Sequence, residues 1–178
     1  TTTIFPAYYV GVTSSKIKGE PSYVDFFGYK IINTVLQDYT LAVVFMIVAL
    51  SSPILSSIAD YRKNKRVYLR WFSLLGAASC SALFFFTPEK IEYGMIFFGL
   101  AALGYWSSLV FYNSYLPDIV PVEDRDRVSA KGFAFGYTGS VLLQIICFIV
   151  ILFPGKFGLD ASDGTIGARI SFLLVGIW

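Results

Sequence analysis

The chain has 178 residues, of which 56% are hydrophobic and only 15% are charged. Because a soluble domain usually carries about 25% charged residues, this composition indicates an integral membrane protein. The net charge of +2 gives no reason to expect nucleic-acid binding, and the lack of histidine in the sequence excludes His-ligated metal sites and His general bases. Cys80 and Cys147 lie inside apolar runs without metal-ligand spacing, so they are predicted to be packing residues, and no metal or cofactor is expected.

The chain begins with a short apolar segment followed by a longer polar one. Residues 1–12 would form only about 18 Å of helix, at about 1.5 Å per residue, and are predicted to be part of a spanning helix. Residues 13–38 are polar and rich in aromatic side chains, which is typical of a partly ordered segment at the outer membrane surface.

Four apolar runs follow, each long enough to cross a bilayer, which takes about 20 helical residues. None of them carries a charge away from its ends. A last apolar segment, residues 168–178, is again too short to span alone. The predicted fold is therefore an all-α integral membrane protein with six spans, of which the first and last are partial. The four full spans are predicted at residues 39–59, 69–87, 93–116 and 132–153.

Basic residues concentrate in two of the connecting loops. Residues 60–68 contain Arg62, Lys63, Lys65 and Arg66. Residues 118–131 contain Arg125, Arg127 and Lys131, mixed with carboxylates. Since Lys and Arg in short loops favour the cytoplasmic side of the membrane, both loops are predicted to be cytoplasmic in a multi-pass protein.

The first basic loop has a recognisable motif. Its sequence, SSIADYRKNKR at residues 56–66, resembles the loop between helices two and three of the major facilitator superfamily, which carries Gly, three residues, Asp and a short basic run. Ser56 replaces the first Gly, and Lys63 stands where an internal Gly is expected. The resemblance implies a gate that holds the inner ends of two lobes together; the alternative is a topology loop with an incidental Asp. The predicted gate residues are Asp60, Arg62, Lys65 and Arg66.

Three further segments narrow the resemblance to one branch. They are TTTIFPAYY at residues 1–9, FYNSYLPDI at residues 111–119 and DRVSAKGFAFGYTGS at residues 126–140. Together they resemble the bacterial relatives of the vacuolar amino-acid effluxer of autophagy, over nearly all of this chain but only the N-terminal six-helix lobe of the family's twelve-helix fold. The resemblance implies a secondary transporter in a bacterial inner membrane. It would move a small solute, with amino acids as a candidate class, by alternating access between this lobe and a C-terminal lobe of the same chain.

Polar side chains at membrane depth are candidates for the transport path. Placing them in hydrocarbon costs free energy, so they usually face the interior of a bundle or a water-filled cavity. The candidates are Gln144, Tyr105, Trp106 and Asn113. For Gln144 a hydrogen bond between helices is an equally good interpretation, and for Asn113 a hydrogen bond that fixes the loop is the favoured one.

Small residues and helix breakers indicate how the last full span is built. Gly132, Gly136 and Gly139 are predicted to allow close helix packing. Pro117 is predicted to end the third full span, and Ser129 is predicted to cap the start of the fourth.

Two other functional classes remain to be compared with a transporter. A non-catalytic helical subunit or scaffold of a larger complex is the alternative, since no acidic residue lies deep in any predicted span. An enzyme is not expected, because no carboxylate pair or Cys–His pair lies at membrane depth.

Overall fold

The computed structural model of the chain describes residues 3–14, 22–62, 64–158 and 164–178. Within these residues, six α-helices and one pair of short strands are present. The helices are α1 (Ile4–Thr13), α2 (Asn33–Arg62), α3 (Lys65–Ala82), α4 (Ile91–Ile119), α5 (Arg125–Leu152) and α6 (Ile166–Ile177). The strands are β1 (Tyr23–Phe26) and β2 (Tyr29–Ile32).

Four of the described helices, α2 to α5, are long and apolar enough to cross a membrane, whereas α1 and α6 are shorter apolar helices. This confirms the predicted class of a helical membrane protein with four membrane-length helices. The sequence placed the start of α2 at residue 39, but the helix begins at Asn33. There the Asn33 side-chain amide donates to Thr13 Oγ1 at 2.9 Å, which joins the start of α2 to the end of α1.

Between α1 and α2 the helical fold also contains a short hairpin, in which β1 and β2 pair antiparallel with Phe26 opposite Tyr29. The two turn residues, Phe27 and Gly28, have φ angles of 48° and 84°. Two successive positive φ angles are typical of a type I′ turn, which matches the twist of a two-residue hairpin. Aromatic and β-branched residues on both sides of Gly28 favour strands, so the pattern was present in the predicted outer segment. Residues 15–21 of that segment lie outside the described part.

Two helix boundaries between α4 and α5 also differ from expectation. The α4 helix continues through Pro117 to Ile119, and the Arg125 guanidinium caps its C-terminal end. It donates to the carbonyls of Pro117 at 3.2 Å and Val120 at 3.3 Å. The α5 helix begins at Arg125, directly after a 3₁₀ turn over Val122–Asp124, so Ser129 lies inside the helix rather than at its cap.

The bundle is built around α4, which packs against α3 on one side and α2 on another. Gly104 of α4 and Gly76 of α3 meet where these helices cross: a Cβ on Gly104 would lie 2.5 Å from the Gly76 nitrogen. A similar approach brings Gly176 of α6 onto the Ala77 carbonyl of α3. Small residues at crossings let helix backbones come close together, which is a main source of packing in membranes.

An aromatic cluster fills the bundle at the end that carries the hairpin. Phe5 of α1 stacks on Phe98 of α4 with ring centroids 4.1 Å apart, and it also contacts Phe86 and Phe172. All four side chains are buried. At the opposite end, where the basic loop lies, Phe111 of α4 stacks on Tyr68 and Phe72 of α3, and polar contacts lie beside these rings.

Candidate functional site

The start of α3 is bound to the end of α4 through Lys65. Its Nζ lies 3.0 Å from Asp118 Oδ2 and donates to the Ser114 carbonyl at 3.1 Å. The Lys65 side chain is only 12% exposed, whereas that of Asp118 is 48% exposed. A cation that is removed from water needs such partners, because an unpaired buried charge is strongly destabilising. The ion pair therefore fixes the register between the basic loop and α4.

Arg66 makes a second contact with the same end of α4. Its Nη2 donates to the Tyr115 hydroxyl at 2.9 Å, and its guanidinium carbon lies 5.8 Å from the centre of the Tyr115 ring. The basic loop and the FYNSYLPDI segment were interpreted separately in the sequence, but the structure brings them together. Sequence reasoning missed Asp118 and Tyr115 as partners. The available signal was that both the basic loop and the end of α4 lie on the same predicted side of the membrane.

The contacts of the other two predicted gate residues, Asp60 and Arg62, cannot be described. The side chains of Asp60 and Arg62 lie outside the described part of the structure, as does Lys63. The four predicted gate residues therefore divide into two that contact α4 and two whose partners stay a prediction.

A cavity of about 550 Å³ lies between α1, α4, α5 and α6. It brings together two of the candidate path residues, Tyr105 of α4 and Gln144 of α5, with Ser140, Gly136 and Trp178 also on its wall. None of the described residues that line it is charged. Its polar groups are thus neutral hydrogen-bonding groups, namely a phenol, an amide, hydroxyls and an indole, which suit a small polar solute.

The other two candidate path residues lie elsewhere on α4. The Trp106 ring packs between Phe45 of α2 and Tyr105, with both pairs of ring centroids 5.3 Å apart. Asn113 is exposed nearer the end of α4 that contacts the basic loop. Neither residue is among the described residues that line the cavity between α1 and α5.

The three glycines predicted for helix packing have different surroundings. Gly132 lies against the Tyr112 hydroxyl, and a Cβ on Gly139 would lie 3.6 Å from the Trp178 ring. Gly136 faces open space in this chain. The tightest helix crossings use Gly76, Gly104 and Gly176. These glycines were not predicted from the sequence, because the residue that a helical glycine contacts depends on where the neighbouring helix lies.

Comparison with known proteins gives the family. The family model described as "Vacuole effluxer Atg22 like" matches residues 10–124 and 120–178. The chain is 30% identical over 178 residues to the "Uncharacterized MFS-type transporter YxiO" of Bacillus subtilis, which covers 100% of this chain and 39% of that protein. It is 24% identical over 217 residues to Autophagy-related protein 22-1 of Aspergillus clavatus, which covers 87% of this chain and 35% of that protein.

A third relative gives a similar picture. Autophagy-related protein 22-2 of Aspergillus oryzae is 26% identical over 200 residues, with 79% of this chain and 33% of that protein covered. The chain thus spans only 33% to 39% of the length of these relatives. No solved structure matches the chain.

The family model matches both basic loops, the FYNSYLPDI segment and the two helices that contribute most to the cavity. This agrees with the resemblance seen in the sequence and with a multi-pass helical protein that is not an enzyme. The chain belongs to the Atg22-like family of major-facilitator-type transporters and forms part of such a fold.

Proposed function

We propose that the intact protein containing this chain is a secondary transporter that moves a small polar solute, with amino acids as the first class to test, by alternating access. The observation that carries the proposal is the cavity lined by Tyr105 and Gln144. Tyr105 lies about 21 Å along α4, near the middle of this 29-residue helix. Substrate sites of secondary transporters lie near the bilayer midplane between two repeated halves.

The chain contributes one of those halves in this proposal. The chain itself covers little of the surface of α2 and α5. Only 6% of the residues in the most apolar stretch of α2, and 11% of those in that of α5, are buried. Such surfaces are suited to contact a second lobe, which the greater length of the relatives leaves room for. Both basic loops would face the cytoplasm across a bacterial inner membrane.

The inner gate would then have two parts. Lys65 and Arg66 hold the start of α3 on α4, which positions the preceding loop. Asp60, with Arg62, would contact the second lobe and stabilise the state that is closed to the cytoplasm. A carboxylate at a facing helix N-terminus contributes about 0.3–1 kcal/mol when exposed, enough to bias two states without locking one of them.

Transport by the intact protein in liposomes tests this proposal. Uptake of each of the twenty radiolabelled amino acids would be compared for the native protein, the Gln144→Leu variant and the Asp60→Asn variant. We expect uptake of at least one amino acid, a raised KM for Gln144→Leu and a slower maximal rate for Asp60→Asn. Glu123→Gln, which removes an exposed carboxylate from the other inner loop, is the matched control and keeps native uptake.

The scaffold alternative predicts a different result. Its support is that no charged side chain lies among the described residues of the cavity wall. If no amino acid or other small solute is taken up, and the native protein is isolated in a stable complex with other subunits, the transporter proposal is contradicted. The intact mass of the native polypeptide gives a first discrimination, since a mass near the 19.8 kDa of this chain would leave no second lobe.

A further inference from the structure

The α3 helix carries an exposed stripe that runs away from its basic end. Val67, Trp71, Leu74 and Ala78 follow one another at spacings of four, three and four residues, and Arg70 lies next to Trp71, so the five residues share a face. Trp71 is 69% exposed, Leu74 is 62% exposed and Val67 is 45% exposed. Much of the surface of these three side chains is therefore not covered by the described part of the chain.

The opposite face of α3 is the one that packs in the bundle. Phe72 stacks on Phe111 of α4 with ring centroids 5.6 Å apart. Gly76 meets Gly104 at the helix crossing, and Cys80 is buried. Val67 and Trp71 therefore lie on the face of α3 that is turned away from Phe111 and Gly104 of α4.

Charge divides the stripe into two parts. Arg70 and Arg66 are exposed and lie one helical turn apart, and no carboxylate forms a salt bridge with either of them among the described side chains. Two nearby carboxylates are engaged by other cations: Asp118 by Lys65, and Asp124 by Arg127, each at 3.0 Å. Beyond Trp71 the stripe is apolar. A cationic end, an indole and an apolar continuation thus follow one another along the helix.

From this arrangement we propose that the stripe binds an anionic phospholipid of the leaflet on the basic-loop side. Arg70, assisted by Arg66, binds the headgroup phosphate, Trp71 lies at the interface, and one acyl chain follows Leu74 and Ala78. The part of the stripe beyond the interface, from Trp71 to Ala78, extends over about 11 Å, which fits within one leaflet of a hydrocarbon core about 30 Å thick. Indole rings favour this interfacial position, and guanidinium groups bind phosphate oxygens in pairs.

Charge complementarity decides between this occupant and a protein surface. Two exposed cations without a described carboxylate partner favour an anionic ligand, and the apolar continuation at membrane depth favours one with a hydrocarbon chain. Each basic residue near an anionic surface strengthens binding about fivefold. Arg70 and Trp71, which carry the headgroup contact, are not among the described residues that line the cavity proposed for transport.

Trp71 itself reports on this site. The intact native protein is placed in vesicles that contain brominated phosphatidylglycerol or brominated phosphatidylcholine, and the signal of Trp71 is isolated by subtracting that of Trp71→Phe. We expect stronger quenching by the anionic lipid, with a relative binding constant about fivefold higher. Arg70→Gln lowers this preference toward unity. Lys156→Gln, which removes an exposed cation from the opposite end of the bundle, leaves it unchanged.

Three results would overturn the proposal. Equal quenching by both lipids would show simple exposure to the bilayer without a phosphate site. Absence of quenching by either lipid would show that another part of the protein, or a second copy, covers the stripe. An anionic preference that Arg70→Gln leaves unchanged would place the lipid contact on other cations.

Discussion

The helices α4 and α5 are nearly equal in length, with 29 and 28 residues, but they differ in how much of their surface the chain covers. Half of the residues in the most apolar stretch of α4 are buried, compared with 11% of those in the corresponding stretch of α5. Small buried residues such as Gly94, Gly99 and Gly104 let neighbours approach α4 closely, whereas α5 carries large exposed side chains such as Phe135. We infer that α4 organises this part of the fold and that α5 mainly serves contacts outside it.

The largest effect expected from this comparison concerns one phenylalanine on each helix. Phe111 of α4 is 1% exposed and stacks on Tyr68 and Phe72 of α3, whereas Phe135 of α5 is 78% exposed. Phe111→Ala leaves a cavity and should lower the free energy of unfolding by about 3 kcal/mol. Phe135→Ala should lower it by less than about 0.5 kcal/mol.

Reversible unfolding of the intact protein in mixed micelles measures both values. An equal loss for the two variants would break the comparison, because it would show that α5 is as tightly packed as α4 once the whole protein is present.

A smaller effect is expected for a glycine on each helix. In Gly104→Ala the new Cβ would lie 2.5 Å from the Gly76 nitrogen and 2.8 Å from the Phe72 carbonyl oxygen, both of them backbone atoms. The helices must separate, which should cost about 1–3 kcal/mol. Gly136→Ala meets nothing within 4 Å, and Ala is the better helix former by about 1 kcal/mol, so this variant should be neutral or more stable. Thermal unfolding compares the two.

Destabilisation by Gly136→Ala would contradict this prediction. It would show that the open face of α5 is in close contact with another part of the protein at this position.

The smallest effect concerns the ion pair that joins α3 to α4. A double-mutant cycle with Lys65→Gln and Asp118→Asn should give a coupling of about 0.5–1 kcal/mol in the free energy of unfolding, since Asp118 is half exposed and solvent screens the pair. The matched pair Arg127 and Asp124 also has a separation of 3.0 Å, but its side chains are 69% and 46% exposed. Its coupling should be near zero. Equal couplings would contradict a special role for Lys65.

The fold could be predicted largely from the sequence because apolar length and loop charge act locally. An apolar run of about 20 residues without charges is a candidate for a spanning helix whichever neighbours it has, and this located α2 to α5. The predicted end of α4 was wrong where a contact from outside the helix is present. Arg125 caps α4 beyond Pro117, and the sequence pattern does not reveal a cap that lies eight residues further along the chain. The hairpin was missed because aromatic residues around Gly28 were interpreted only as an interfacial segment.

The candidate site could be predicted only in part, for a related reason. Lys65 and Arg66 stood out as cations in a short loop, but their partners Asp118 and Tyr115 are about fifty residues away in the chain. Gln144 and Tyr105 could be ranked by depth, and both line the cavity. Trp106 has the same depth as Tyr105 but points to α2, where it packs on Phe45. Depth can be counted along a helix, whereas the direction of a side chain depends on where the neighbouring helices lie.

Accessibility of the cavity from the basic-loop side tests the central claim most directly. Ser140, which lines the cavity, is replaced by Cys in the intact protein. Its rate of labelling by a membrane-impermeant maleimide is then measured in vesicles with the basic loops outside, after subtraction of the signal from the protein without this substitution. The account predicts that Asp60→Asn speeds labelling about twofold to fivefold, as expected for loss of a gate contact, and that Glu123→Gln does not. An unchanged or slower rate in Asp60→Asn would contradict a gate at this loop.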